Sequence, residues 1–265
     1  MCKDCGCTVA GMEEHYHEHS HEHGHEHTHH HHEYNHNVDK NITNNPQLND
    51  AKTISVIQKI LDKNDHEAAH NRAHFDNHKV LGINLMSSPG SGKTTLLEHL
   101  SDITDFKFAV IEGDLETSKD AERLKAKGIN AVQIQTGSAC HLDAFMVHQG
   151  LHDISLEDID VCFVENVGNL VCPASYDVGT HLNIVLVSIP EGEDKIAKYP
   201  VMFRSADLIL FTKTDLLPHF EYDLQKEKDV ARRLKPNVDI LEVNIKDKNS
   251  LQAVVQWINF KRKMR

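Results

Sequence analysis

Ser87-Ser88-Pro89-Gly90-Ser91-Gly92-Lys93-Thr94-Thr95 follows an apolar run, Val80 to Met86, and leads into Leu96 and Leu97. A small-residue turn that ends a strand and opens a helix is the context a phosphate-binding P-loop requires. Small side chains let backbone N–H groups face phosphate oxygens, and the helix N-terminus adds its positive end. Gly90, Ser91, Gly92, Lys93, Thr94 and Thr95 form the expected nucleotide-contacting set. Lys93 is placed to reach the β- and γ-phosphates, and the Thr94 hydroxyl to ligate Mg²⁺. Ser87 stands where the usual pattern has its first Gly.

Outward from this loop, short apolar runs alternate with amphipathic segments. Strands are predicted at Val80 to Ser87, Lys107 to Glu112, Ala131 to Gln135, Val161 to Glu165, Ile184 to Ser188, Leu208 to Thr212 and Ile240 to Val243. Helices are predicted to begin near Lys93, Thr117, Cys140, Tyr222 and Asn249. Continuous apolar strands separated by helices give an α/β fold, a P-loop NTPase whose mostly parallel sheet is covered on both faces. A further helix is expected from about Ala51 to Asn77, with Ile54, Ile57, Ile60 and Leu61 at helical spacing. This divides the chain into residues 1–50, a tail and linker, and residues 51–265, the P-loop domain.

Composition separates the same two parts. The chain of 265 residues has a formal net charge of −12, which argues against a nucleic-acid binder. Its apolar runs are too short to span a bilayer, and the N-terminus lacks the pattern of a secretory signal. Six Cys in such a chain point to reduced thiols and a cytoplasmic protein. The 22 His far exceed the roughly 6 of ordinary composition. Many lie between His15 and His36, in a segment too polar to offset its ordering entropy, so a disordered tail is expected.

Candidate chemistry follows from position. Asp114 and Glu165 end predicted strands, where the carboxyl edge of a parallel sheet gathers around a ligand. Both are candidates for Mg²⁺ coordination and for orienting an attacking water. Thr212-Lys213-Thr214-Asp215 follows another strand. The Asp215 carboxylate can accept two hydrogen bonds from guanine, and the Lys213 stem can cover the base. Thr212 occupies a position where GTPases commonly carry Asn. Asn244 to Lys246 is a weaker candidate for closing over the base.

Three metal sites are expected. Cys2, Cys5 and Cys7 offer three soft donors, suited with an amine to square-planar Ni²⁺ or alternatively to tetrahedral Zn²⁺. The His15 to His36 run suits a store or buffer of Ni²⁺, Zn²⁺ or Cu²⁺. Cys140, His141 and Cys172 form the third. Cys172 lies seven residues beyond Glu165, so a metal there would be tied to nucleotide state. Cys162, mid-strand, reads as a core residue. His66, His70, His74 and His78 form a ridge that suits an i, i+4 metal pair or, the favoured reading, a solvated or partner-facing stripe. His148, His152, His181 and His219 read as surface or loop residues. Lys261-Arg262-Lys263 and Arg265 read as complements to a helix C-terminus.

Taken together, Ser87 to Leu97, Val110 to Thr117, Thr136 to Ala144, Glu165 to Ala174, Pro190 to Pro200 and Ala206 to Pro218 closely resemble the HypB family of hydrogenase nickel-incorporation GTPases. The Cys2, Cys5, Cys7 cluster is a further feature of that family. The resemblance implies a SIMIBI-class fold, dimerisation dependent on GTP and Mg²⁺, and slow GTP hydrolysis. It implies nickel delivery to the large subunit of [NiFe]-hydrogenase with the zinc-containing partner HypA. It also implies Zn²⁺ or Ni²⁺ on Cys140, His141 and Cys172 at a homodimer interface. One alternative is a nickel or zinc store with a regulatory nucleotide domain. Another is an accessory GTPase that also serves urease, although urease accessory GTPases carry a Cys-Pro-His triplet that this chain lacks.

Overall fold

The computed structural model describes residues 51–114 and 119–265. Cys2, Cys5, Cys7, the His15 to His36 run and the tail as a whole lie outside the described residues. Seven parallel strands form one sheet in the order β3-β2-β4-β1-β5-β6-β7. They are β1 (Leu81–Ser87), β2 (Phe108–Asp114), β3 (Asn130–Gln135), β4 (Val161–Glu165), β5 (Leu182–Ser188), β6 (Leu208–Thr212) and β7 (Asp239–Val243). Each sequence-predicted strand is present, with its ends within two residues of expectation. The reason is burial on both faces: every residue of β1, β4 and β6 is buried, so these strands read as mainly apolar runs, with Asn84 inside β1 and polar residues at their carboxyl ends.

The helices are α1 (Ala51–His78), α2 (Lys93–Ser101), α3 (Lys119–Ala126), α4 (Ala144–Asp153), α5 (Lys195–Lys198), α6 (Pro200–Ser205), α7 (Leu224–Leu234) and α8 (Lys248–Lys263). Successive strand residues alternate between the two covered faces. Ile184 and Leu186 pack with Leu97 of α2 and Val254 of α8. Val185 and Val187 pack oppositely with Phe203 of α6 and Ala231 of α7. Under α1 and α4, Ile111 and Val164 meet Phe75 and Val147. On one side of β1 the sheet continues through β4, β2 and β3, and on the other, reached later by the chain, through β5, β6 and β7. This reversal opens a crevice at the carboxyl end of β1, where the phosphate loop sits.

Three expectations are corrected. The helix predicted from Cys140 begins at Ala144, because Asp143 caps it by accepting from the Met146 N–H at 2.8 Å. Cys140 and His141 therefore lie in the preceding loop. Helix α1 forms where expected, but Ile54, Val56 and Ile60 are exposed. It docks instead through Asn64, Ala68, Asn71 and Phe75. The Asn64 side-chain Oδ1 accepts the Ala144 N–H (2.9 Å), and the Asn71 side-chain amide donates to the Ala144 carbonyl (2.8 Å) and the Val178 carbonyl (3.1 Å). Two amides thus satisfy both sides of one helix-initiating residue. Arg262 and Arg265 are not simple helix-end charges: they pair with Asp160, just before β4, and Asp76 of α1, tying the C-terminal end of the chain to both. The 3₁₀ turns at Cys172–Ser175, Ile189–Glu191 and Thr214–His219, and the four- and six-residue helices α5 and α6, are too short for periodicity to reveal.

Asn71 is fully buried, and Asn71→Ala removes the side-chain donor shared by the Ala144 and Val178 carbonyls. The expected loss of stability is about 1–3 kcal/mol, read by urea denaturation; a change under 0.5 kcal/mol would show that α1 docks by apolar contact alone.

Candidate nucleotide and metal sites

Gly90 and Gly92 have φ of +75° and +96°, which only glycine adopts without strain, so the backbone can turn its N–H groups inward. Ser87 is buried, and its hydroxyl accepts from Lys93 Nζ at 3.1 Å. The departure from the usual first Gly therefore gives the lysine an oxygen to rest on. Burial pushes the Lys93 ammonium below its ordinary range, against the opposing pull of Glu165, Asp120 and Glu112.

The loop is gripped from neighbouring strand ends. Glu191, just past β5, accepts from the Ser88 and Ser91 hydroxyls and from the Ser188 N–H and hydroxyl. Sequence reasoning missed it; the only available signal was its place in the Pro190 to Pro200 stretch. Thr212 donates its hydroxyl to the Ser91 carbonyl at 2.8 Å, and Lys213 Nζ donates to the Gly90 carbonyl at 2.7 Å. Thr212 thus ties β6 to the loop through a side chain one atom shorter than Asn.

Beside this tether lies a cavity of about 320 Å³, lined among others by Thr95, Lys213, Asp215, Ile245 and Lys246. Lys246 Nζ donates to Asp215 Oδ2 at 2.9 Å; this bond, more than the Coulomb attraction, holds the carboxyl below its usual range. The Asn244 to Lys246 loop thus does reach the pocket, with Ile245 and Lys246 in its lining.

At the phosphate end, the Thr94 hydroxyl donates to Glu165 Oε1 at 2.7 Å. The β2–β4 register sets Glu112 directly beside Glu165. Both are buried, and the Oε2 of each has no hydrogen-bond partner among the described residues. Burial, then its neighbours Glu165, Asp114 and Asp120, pushes the Glu112 carboxyl up to about 8. Burial pushes Glu165 up to about 6, with Lys93 and Thr94 opposing. Orphaned carboxylate oxygens beside a threonine hydroxyl are hard donors, and the set fits Mg²⁺. Asp114 ends β2 on the same face of the strand as Glu112, and its carbonyl accepts the Thr136 N–H at 2.9 Å. Glu112 was not singled out from sequence; its period-two spacing from Asp114 was the available clue.

Cys140, His141 and Cys172 converge, their donor atoms all within 4.8 Å of one another. Two sulfurs and an imidazole at that spacing can share one Zn²⁺ or Ni²⁺. Burial lowers the His141 pKa, favouring the neutral ligand form, and its ring stacks on Tyr176 at 4.1 Å. This site is joined to the phosphate loop by the segment after β4. Asn166 Oδ1 accepts the Leu142 N–H at 3.0 Å. Gly168 packs so closely on Pro89 that an added Cβ would sit 2.8 Å from its Cα. Asn169 donates to the Cys140 carbonyl at 3.4 Å. Cys162 is a core residue, wholly buried, its thiol pushed up to about 12.

The His expected at the surface or in loops have specific neighbours. His181 is half-buried, and its Nδ1 accepts the Gly82 N–H at 2.9 Å. His152 is exposed and His148 partly so, as expected, and both face the α1 ridge, His152 lying 6.5 Å ring to ring from His74. Among the described residues no helix is long and apolar enough to cross a membrane.

A family model described as CobW/HypB/UreG, nucleotide-binding domain, matches residues 81–242. The hydrogenase/urease maturation factor HypB of Helicobacter hepaticus is 50% identical over 221 residues, spanning 82% of this chain and 91% of that protein. The chain belongs to the CobW/HypB/UreG family. The crystal structure of HypB from Helicobacter pylori in complex with nickel has 44% identity and a TM-score of 0.73, covering 76% of this chain and 96% of that one. HypB from Archaeoglobus fulgidus has 34% identity and a TM-score of 0.71, covering 76% of this chain and 100% of that one. The matched range begins at β1 and ends within β7, so α1 and α8 lie outside it.

The raised Glu112 carboxyl has a pH consequence. An acid whose folded pKa lies above its unfolded value stabilises the fold only while protonated in both states. For Glu112 that contribution is lost as pH rises from about 4.5 to about 8. Glu112→Gln, measured by urea melts without nucleotide or divalent metal, is expected to be more stable than the parent at pH 8 by on the order of a few kcal/mol. The gap should close toward pH 4.5; a gap independent of pH would remove Glu112 as its source.

Proposed function

We propose that this protein is a GTP-hydrolysing nickel metallochaperone. It delivers nickel to the large subunit of [NiFe]-hydrogenase during maturation, and GTP-dependent dimerisation is coupled to the transfer. The observation that carries this reading is the short path between two sites. Glu165, which holds Thr94, is followed within seven residues by Asn166, Gly168, Asn169 and Cys172. Gly168 rests on the phosphate loop, and Asn166 and Asn169 hold the backbone around Cys140 and His141. Movement of the γ-phosphate end thereby displaces one metal ligand relative to the other two, a switch of the kind GTPases use elsewhere.

In the hydrolytic step, Lys93 stabilises charge on the departing β–γ bridge oxygen, while Asp114 and Glu165 orient the attacking water. Mg²⁺, when bound at Thr94, Glu165 and Glu112, supplies charge neutralisation at the phosphates. Gly90, Ser91, Gly92, Thr94 and Thr95 hold the phosphates, and Lys213 and Asp215 the guanine. Cys2, Cys5 and Cys7 provide a second, tighter nickel site in the tail that precedes the domain. HypA is the expected accessory partner, and the protein works in the cytoplasm. Service to urease is part of the same reading, because the Helicobacter hepaticus relative bears both roles in its name.

A pure metal store would not need Lys93. Lys93→Ala is expected to abolish GTP turnover and nickel transfer to the hydrogenase large subunit while nickel binding persists. Transfer that survives without turnover would favour the store.

Base choice has its own test. Asp215→Asn exchanges an acceptor for a mixed donor and acceptor, leaving a guanine N–H unpaired. GTP affinity is expected to fall roughly 10- to 100-fold, and xanthosine triphosphate to bind better than GTP, by fluorescence titration. Unchanged GTP affinity would remove Asp215 from base recognition.

A further inference from the structure

His148 and His152 stand one turn apart on α4 and point their Nε2 atoms at each other, 3.0 Å apart. Two imidazole nitrogens on one tetrahedral ion lie about 3.3 Å apart, given metal–nitrogen bonds near 2.0 Å. The two rings are therefore already at chelating distance, in the i, i+4 relation that a helix provides. The back of the pair is organised as well. His148 Nδ1 lies 3.1 Å from Glu67 Oε1 and 3.0 Å from Asn71 Oδ1, both on α1. Two oxygen acceptors at Nδ1 fix the proton there and leave the Nε2 lone pair free to bind, the arrangement by which carboxylates orient metal-bound histidines. Glu67 is only 14% exposed in its side chain, so this acceptor is held in place. On the opposing helix His74 lies 6.5 Å from His152, and His78 packs against His74 at 4.5 Å.

We propose that His148 and His152, joined by His74 on side-chain rotation, form a separate site for a first-row divalent cation across the α1–α4 seam. Imidazole donors suit Ni²⁺, Zn²⁺ and Cu²⁺, and exclude the hard cations that the carboxylates beside Thr94 favour. The site shares no residue with the Cys140 cluster. Its distinctive consequence is mechanical. An ion here bridges the two helices that Asn64 and Asn71 already join at Ala144, three residues past His141. It braces the helix that follows the cysteine loop and offers a cation an exposed stopping point one to two turns from that loop.

The test uses the full-length chain, stripped of metal and exposed to Zn²⁺ at free concentrations set by a chelator buffer. Diethyl pyrocarbonate modifies accessible imidazoles, and peptide mass spectrometry reads each His separately, so the tail does not mask the seam. His148 and His152 are expected to become protected together with one midpoint, while the exposed His219 stays reactive. His152→Ala, a change at an exposed position, should abolish the protection of His148. Glu67→Gln should raise the midpoint about 10- to 100-fold. Repeating the titration with Ni²⁺ should give the same paired protection. A melting curve without metal checks that each variant folds. Protection of neither residue at saturating Zn²⁺ would reduce the pair to an imidazole–imidazole hydrogen bond and overturn the proposal. Protection of His148 that survives His152→Ala would overturn it equally.

Discussion

Ser91 stands at the crossing of two tethers. Its hydroxyl donates to Glu191 beyond β5, and its carbonyl accepts from Thr212 at the end of β6. Lys213 holds the adjacent Gly90 carbonyl, and Gly168 beyond β4 leaves no room for Pro89 to move inward. A loop built from small residues has little to hold itself, so its shape depends on these neighbours. Parallel strands make this possible, because β1, β4, β5 and β6 all end on the same edge. The phosphate loop, the cavity beside Thr212 and Lys213, and the loop carrying Cys140 and His141 are consequently joined through the same strand ends.

Charge gives that construction its second property. Glu112 and Glu165 lie side by side in register, buried, around a buried Lys93. One cation among two adjacent acids leaves a site with oxygen donors to spare, and burial keeps those acids protonated more readily than in water. A divalent ion would exchange protons for metal at a place fixed by Thr94. The same segment of chain then runs seven residues to Cys172, so charge at the phosphate end and sulfur at the metal end share a backbone. Gly168 is its tightest point, where any side chain would strike the phosphate loop.

The strands and the phosphate loop were legible because their signals are local. Val161 to Glu165 is a buried strand by its own composition, and Gly90-Ser91-Gly92-Lys93-Thr94 carries its turn, donors and helix start within a few residues. Cys140, His141 and Cys172 were legible through motif resemblance, and the fold brings their donor atoms together. Glu112 and Glu191 were not, because each acquires its importance from a partner 53 or 100 positions away in Glu165 and Ser91. Helix α1 shows the converse error. Its isoleucines have the right spacing, yet its buried face is set by Asn64 and Asn71, whose value lies in the Ala144 peptide they satisfy.

By itself, the sequence determined the fold class, the position of the phosphate loop and the identity of most donors, since periodicity and turn chemistry act over a few residues. Only the tertiary structure decided which donors face one another. It moved Cys140 and His141 off a helix into a loop, set Glu112 against Glu165, and brought His148 and His152 onto a helix that lies more than sixty residues earlier in the chain. The physical reason is that a metal or phosphate site is a matter of distances between side chains. Those distances are fixed by strand register and helix docking, neither of which any single segment contains.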